Sequence, residues 1–299
     1  MSPNGESGSD RPARLTFLQR RALKRLRRMA ERDSGEPLQP EDWEALWGLE
    51  HTSGARALKR LWHWLPGNPR CGMCGAPFAG PGRMISRPLG YRPSRKNPHL
   101  CATCVELSSP GGMTTETGIL FADLRGFTSA SEGADPEQVS RTLRRFYGCA
   151  EQVLFPEAVI DKLIGDEVMA LYICWPDSDV TIESAPGVMV DHARGLLEAV
   201  GYGAADGPFV EVGVGLDFGK AFVGNIGDRA VYDFTAVGDV VNTAARLQAE
   251  AAGGEIVISE RVAAGLIEPA GEPVELELKG KSAPERGYRL SAGTRPPSP

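Results

Sequence analysis

The chain contains no run of eighteen or more apolar residues, which excludes a hydrophobic membrane-spanning helix. Its first ten residues, from Met1 to Asp10, lack the charged start and apolar stretch of a secretory signal, so the expected location is cytoplasmic. Cysteine is scarce: six in 299 residues. In a reducing compartment that number argues against a disulfide framework and for thiols or metal ligands. Internal repeats are absent. The glycines of Gly213-Val-Gly-Leu-Asp-Phe-Gly219 lack a third closely spaced glycine and follow a strand rather than open a helix, which excludes a dinucleotide-binding loop.

What is present suffices for one large or two modest domains, with an ordinary 41% hydrophobic content. The net charge of -6 conceals a division. Residues 1 to 104 hold 18 Lys/Arg against 9 Asp/Glu, and residues 105 to 299 hold 15 against 30. Residues 1 to 13 have almost nothing to bury and read as a disordered leader. From Arg14 to Asp33, Leu15, Leu18, Ala22, Leu26 and Met29 recur at helical spacing among eight Arg and Lys residues. That basic amphipathic helix suits packing on its own domain or a partner helix, with an anionic membrane surface or nucleic acid as the alternatives. The helical region extends to residue 66, with Leu58, Leu61, Trp62 and Leu65 on one face, and Pro66-Gly-Asn-Pro69 stops it.

Cys71-Gly-Met-Cys74 and Cys101-Ala-Thr-Cys104 are two Cys-x-x-Cys pairs separated by 26 residues rich in Gly, Pro and Arg. Each pair can present two thiolates to one ion, and a tetrahedral Cys71, Cys74, Cys101, Cys104 zinc site is the simplest product. An iron-sulfur cluster, or reduced or disulfide-paired thiols, are the alternatives. So few apolar residues lie between the pairs that residues 67 to 107 need a cross-link to hold together. His99 reads as a surface histidine, His192 as structural, and Cys149 and Cys174 as core.

A linker composition, Ser108-Ser-Pro-Gly-Gly-Met-Thr-Thr-Glu116, marks the expected domain boundary. Beyond it, strand, helix, strand hairpin, helix and further strands mixed with helices predict an α+β domain over 117 to 290. Its sheet is expected to be mainly antiparallel, with helices flanking it, and 291 to 299 to be a tail. Glu211 to Phe218 and Lys220 to Ile226 read as separate strands. Two apolar runs each carry one carboxylate where the run meets a turn, Asp123 and Asp166. A buried carboxylate needs compensation, and a divalent metal ion supplies it.

Residues 117 to about 290 resemble the catalytic domain of class III adenylate/guanylate cyclases, with its ferredoxin-like fold. The segments that carry the resemblance are Phe121-Ala-Asp-Leu-Arg-Gly-Phe-Thr128, Lys162-Leu-Ile-Gly-Asp-Glu-Val168, Tyr232-Asp-Phe-Thr-Ala-Val-Gly-Asp-Val-Val-Asn-Thr-Ala-Ala-Arg-Leu247 and Leu278-Lys-Gly-Lys281. The resemblance implies closure of ATP to 3′,5′-cyclic AMP and pyrophosphate. It implies two Mg²⁺ or Mn²⁺ ions per active site on Asp123 and Asp166, purine recognition by Lys162 and Thr235, and a triphosphate contact from Lys279. Asn242 would orient the ribose and Arg246 would meet charge gathering on the α-phosphate. The turn Arg125-Gly-Phe-Thr128 would offer amides to phosphate oxygens.

A Lys ammonium donates to adenine N1 and a Thr oxygen accepts from the N6 amino group, so ATP is the expected substrate. A hydroxyl can also donate, so it discriminates less sharply. The family often has Asp where Thr235 stands; Thr marks a subgroup, some members of which respond to bicarbonate. Such cyclases build each site from two chains, which implies a head-to-tail homodimer. Two rival readings are a nucleotide-binding or dimerising module of the same fold without turnover, gated by metal or redox state, and a guanylate cyclase. The full residue set counts against the first and Lys162 against the second.

Overall fold

The computed structural model describes residues 61–62, 64–72, 74–94, 98–105, 111–174, 180–228, 231–267, 271–277 and 284–292. The leader, the basic helix 14–33, Lys279 and the tail from 293 lie outside the described residues. Among the described residues no helix is long and apolar enough to cross a membrane.

In chain order the elements are α1 (Arg83–Ser86), α2 (Ala102–Val105), β1 (Gly111–Leu124), α3 (Phe127–Ser131), α4 (Pro136–Leu154), β2 (Val159–Ile164), β3 (Glu167–Ile173) and α5 (Ala185–Val200). They continue with β4 (Val212–Asp228), β5 (Val231–Val237), α6 (Asp239–Glu250), β6 (Glu255–Ser259), α7 (Glu260–Ala264), β7 (Glu272–Leu276) and β8 (Glu285–Ser291). The sheet runs β2-β3-β1-β4-β6-β8-β7, with β5 paired to the later half of β4. Among the described strands only β4 and β6 pair in parallel; the other ladders are antiparallel. The α+β expectation therefore holds.

Two sequence expectations need correction. β4 is one strand of 17 residues, not two, because Gly219 stays in the ladder opposite Thr117. β1 starts at Gly111 rather than Thr117, and Gly111 to Glu116, read as linker, pairs with Asn225 to Lys220.

Side chains alternate across a strand, and the two faces of the sheet feed two cores. Leu120, Ala122 and Leu124 face α4 and α5, where Phe146, Leu154, Met189 and Leu197 complete a buried cluster. α4 starts where Asp135 caps the amide of Glu137 and Pro136 occupies the first turn. Ile119 and Phe121 belong to the other cluster, with Val223, Phe234, Val240 and Ala244. α6 lies on that side, so close to β4 that a Cβ at Gly215 would sit 2.1 Å from the amide nitrogen of Gln248. Glycine here sets how near the helix can come to the strand.

The same second cluster includes Trp62, Leu65, Leu100 and Val105, so the cysteine-bearing segment shares a core with the sheet. The Asn225 side-chain amide donates to the Val105 carbonyl at 2.9 Å, and the rings of His99 and Phe155 lie 4.6 Å apart. Leu61 departs from its expected buried face and is 42% exposed, whereas Trp62 is fully buried.

Candidate active site and cysteine cluster

Asp123 is the penultimate residue of β1 and shares the parity of Ile119 and Phe121. Its register partner on β3 is Glu167. Asp166 stands in the β2–β3 turn, which Gly165 makes possible with a φ of 62°. The Leu124 amide donates to the Asp166 carbonyl at 3.3 Å, and the Tyr147 hydroxyl donates to the Gly165 carbonyl, so the turn is tied to both β1 and α4.

Carboxylates crowd at this spot. Burial and then the charge of Asp166 push the Asp123 carboxyl above its ordinary range, against the pull of Arg125. Glu167 is raised by burial and by both aspartates. Arg125 is the neighbouring cation, 3.6 Å from Asp123, and it also donates to the Gln248 carbonyl at 3.1 Å. Hard oxygen donors whose charges repel one another are the donor set a divalent ion such as Mg²⁺ takes up. The residues present therefore fit the metal the resemblance implies. The Arg125 amide is already bonded to the Glu211 carbonyl, which removes it from the expected phosphate-binding turn.

A second group forms between β2 and β5. Lys162 Nζ donates to Thr235 Oγ1 at 2.9 Å, joining the two residues expected to read the purine. The Thr235 hydroxyl in turn donates to Asp161 Oδ2 at 2.6 Å. Lys162 Nζ lies 3.4 Å from that same oxygen and 3.9 Å from Asp233 Oδ2. Asp161 has no exposed side-chain surface, whereas the Lys162 side chain is 32% exposed. A bulge between Ile160 and Lys162 accompanies the turning of two adjacent charged residues to one partner, Thr235.

β5 leads through Gly238 directly into α6, which carries Asn242 and Arg246 one turn apart. Asn242 is exposed and Arg246 half-buried, while Val240, Ala244 and Leu247 anchor the opposite side of the helix. Thr235, Asn242 and Arg246 thus ride on one hairpin-and-helix unit fixed to β4. Lys279 lies outside the described residues. Asp161, Asp233, Glu167 and Arg125 were not singled out as site residues from sequence. The available signal was an acid inside an apolar run, as at Asp161.

The four cysteines of the two Cys-x-x-Cys pairs converge. Every Sγ of Cys71, Cys74, Cys101 and Cys104 lies within 4.8 Å of the others. Cys71 to Cys104 is 4.0 Å and Cys74 to Cys101 is 3.7 Å. The Cys101 amide donates to Cys71 Sγ at 3.2 Å, and the Gly72 amide to the His99 carbonyl at 2.9 Å. His99 is not one of this group. Cys149 and Cys174 are half-buried against the first core. His192 bonds Tyr172 through Nδ1 at 3.0 Å, in keeping with a structural role.

A mainly antiparallel sheet with acids at a strand end and its neighbouring turn defines a nucleotidyl cyclase domain. The chain belongs to the adenylate and guanylate cyclase catalytic domain family, whose sequence profile matches residues 112–290. It is 31% identical over 180 residues to an adenylate cyclase of Anabaena cylindrica, covering 58% of this chain and 35% of that protein. A terminal-differentiation-specific adenylate cyclase of Dictyostelium discoideum is 31% identical over 134 residues, 44% of this chain and 6% of its own length. The chain thus spans about a third or less of these curated relatives. Among solved structures, the guanylyl cyclase Cya2 superposes with a TM-score of 0.53 at 27% identity, over 60% of this chain and 93% of that one. The adenylyl cyclase CyaB from P. aeruginosa gives 0.51 at 25%, over 59% and 94%.

Proposed function

We propose that the protein is an adenylate cyclase that closes ATP to 3′,5′-cyclic AMP and pyrophosphate for signalling. The observation that carries the choice of ATP is the 2.9 Å contact between Lys162 and Thr235, which assembles a donor and a hydroxyl side by side. Lys162 donates to adenine N1 and Thr235 accepts from the N6 amino group. Asp123 and Asp166 hold the divalent ions. When bound, these supply a lowered pKa at the attacking 3′-hydroxyl and charge neutralisation at the triphosphate. Asn242 orients the ribose, Arg246 meets the charge on the α-phosphate, and Lys279 contacts the triphosphate. Two chains pair head to tail, each lending its acids to the other's Lys162, Thr235, Asn242 and Arg246.

The four clustered thiols support a zinc site in the same reading. A tetrahedral ion with Zn–S bonds of about 2.3 Å has S···S edges of about 3.8 Å. The separations of 3.7 and 4.0 Å match a single ion. A cluster of several irons would hold its thiolates on different metal atoms and spread them further, so the geometry favours zinc over iron-sulfur.

Purified protein with Mn²⁺ is expected to convert ATP to cyclic AMP with a higher kcat/KM than GTP to cyclic GMP. Nucleotide binding without turnover under every metal condition would favour a regulatory module instead. Faster turnover of GTP would favour a guanylate cyclase.

A further inference from the structure

A threonine hydroxyl is chemically ambiguous as a base reader. It carries one hydrogen and two lone pairs, so it can accept from the adenine amino group or donate to the guanine carbonyl. The surroundings of Thr235 remove that ambiguity. Its hydrogen is directed to Asp161 Oδ2 at 2.6 Å. The Asp161 side chain is wholly buried, and its Oδ2 faces two donors, the Thr235 hydroxyl and the Lys162 ammonium 3.4 Å away, so it stands there as an acceptor. One lone pair of Thr235 receives Lys162 Nζ at 2.9 Å. Its second lone pair is what it can present to a ligand.

We propose that Asp161 is the specificity-determining residue of this site, acting through Thr235 by holding its hydroxyl as an obligate acceptor and so selecting a 6-aminopurine nucleotide. The inference rests on the adenylate cyclase reading and deepens it. Lys162 enters the same network. Of its three N–H groups, one faces Thr235 and one faces Asp161, at 2.9 and 3.4 Å, and the third can reach a ring nitrogen lone pair. Adenine matches both readers, with N1 accepting and N6 donating. Guanine opposes both, because its N1–H meets a donor and its O6 meets an acceptor. Two mismatched buried polar contacts are the kind of discrimination that apolar pockets cannot reach. Asp161 is a positioning residue: its carboxylate acts on Thr235 and Lys162, not on the base.

The test compares ATP and GTP on the full chain, by kcat/KM for cyclisation and by competition against a fluorescent ATP analogue. Wild type is expected to favour ATP by about 100-fold or more. Asp161→Ala frees the Thr235 hydroxyl to rotate and is expected to narrow the ratio by about tenfold or more, chiefly by improving GTP. The double variant Asp161→Ala/Thr235→Asp supplies a fixed acceptor without Asp161 and should restore the ATP preference; a purely structural role for Asp161 predicts no such rescue. If Asp161→Ala does not fold, Thr235→Val reports on the same reader and should lose the ATP advantage.

An unchanged ratio in folded Asp161→Ala, or in Thr235→Val, overturns the inference, as does a wild type that prefers GTP. Turnover of neither nucleotide by wild type would sink the enzyme reading. The binding ratio still decides the role of Asp161 in that case, so the two failures remain separable.

Discussion

The side-chain amide of Asn225, on β4, donates to the backbone carbonyl of Val105, the last residue of α2, at 2.9 Å. Asn225 is 4% exposed and Val105 is 2% exposed, so the bond crosses a dry seam between the cysteine-bearing segment and the catalytic sheet. Asn225→Ala leaves a buried carbonyl short of a donor and should destabilise the protein by about 1–3 kcal/mol. Urea denaturation checks this, and the metal content of the folded variant should not change.

Metal content itself is the measure for the cysteine cluster. Elemental analysis of the purified protein is expected to find about one zinc per chain, bound by Cys71, Cys74, Cys101 and Cys104 in a colourless sample. Cys71→Ser should lose it and open residues 66 to 105 to hydrogen exchange, since the ion ties the two Cys-x-x-Cys turns at either end of this segment together. A brown sample, or full metal retention in that variant, would count against the site.

The shared active site has a quantitative signature. Asp166→Ala and Asn242→Ala should each be inactive alone. Mixed in equal amounts and allowed to exchange partners, half of the dimers are hybrids with one intact site of two, so about a quarter of wild-type activity should return. No recovery would place the complete site within one chain.

Acid should weaken the fold through its buried histidines. Burial lowers the His192 pKa, outweighing the charges of Glu157 and Asp191, and the ring is bonded to Tyr172. The unfolded chain therefore binds a proton that the native ring resists. Stability is full above the unfolded value of about 6.5 and falls as the pH drops below it. His99 is lowered in the same way, by burial against the charge of Glu157. Urea midpoints between pH 7 and pH 5 should slope less steeply in His192→Gln than in wild type, and less steeply again when His99 is also replaced.

Much of the fold was legible because its strands obey simple alternation. The β2–β3 hairpin around Gly165 and the helix Asp239–Glu250 both stand where periodicity put them. Asp123 and Asp166 are brought together because each ends an apolar run at a turn. The continuity of β4 was hidden by Gly219, which reads as a break but keeps its ladder partner Thr117. Strict alternation would put Asp161 and Lys162 on opposite faces; the bulge after Ile160, a feature of pairing and not of composition, accompanies both side chains reaching Thr235. The docking of the cysteine segment on the sheet depends on contacts between residues more than a hundred positions apart, such as Val105 and Asn225, which no local pattern records.

The common core of Trp62, Leu100 and Val105 with Ile119, Phe121 and Val223 bears on any attempt to pare the protein down. A fragment begun at Gly111 keeps every described strand yet strips the cover from part of that apolar face. Such a fragment should be sticky in solution, prone to self-association and in need of detergent or a fusion partner to stay dispersed. The described residues between Leu61 and Val105 are thus no detachable accessory but one wall of the catalytic body.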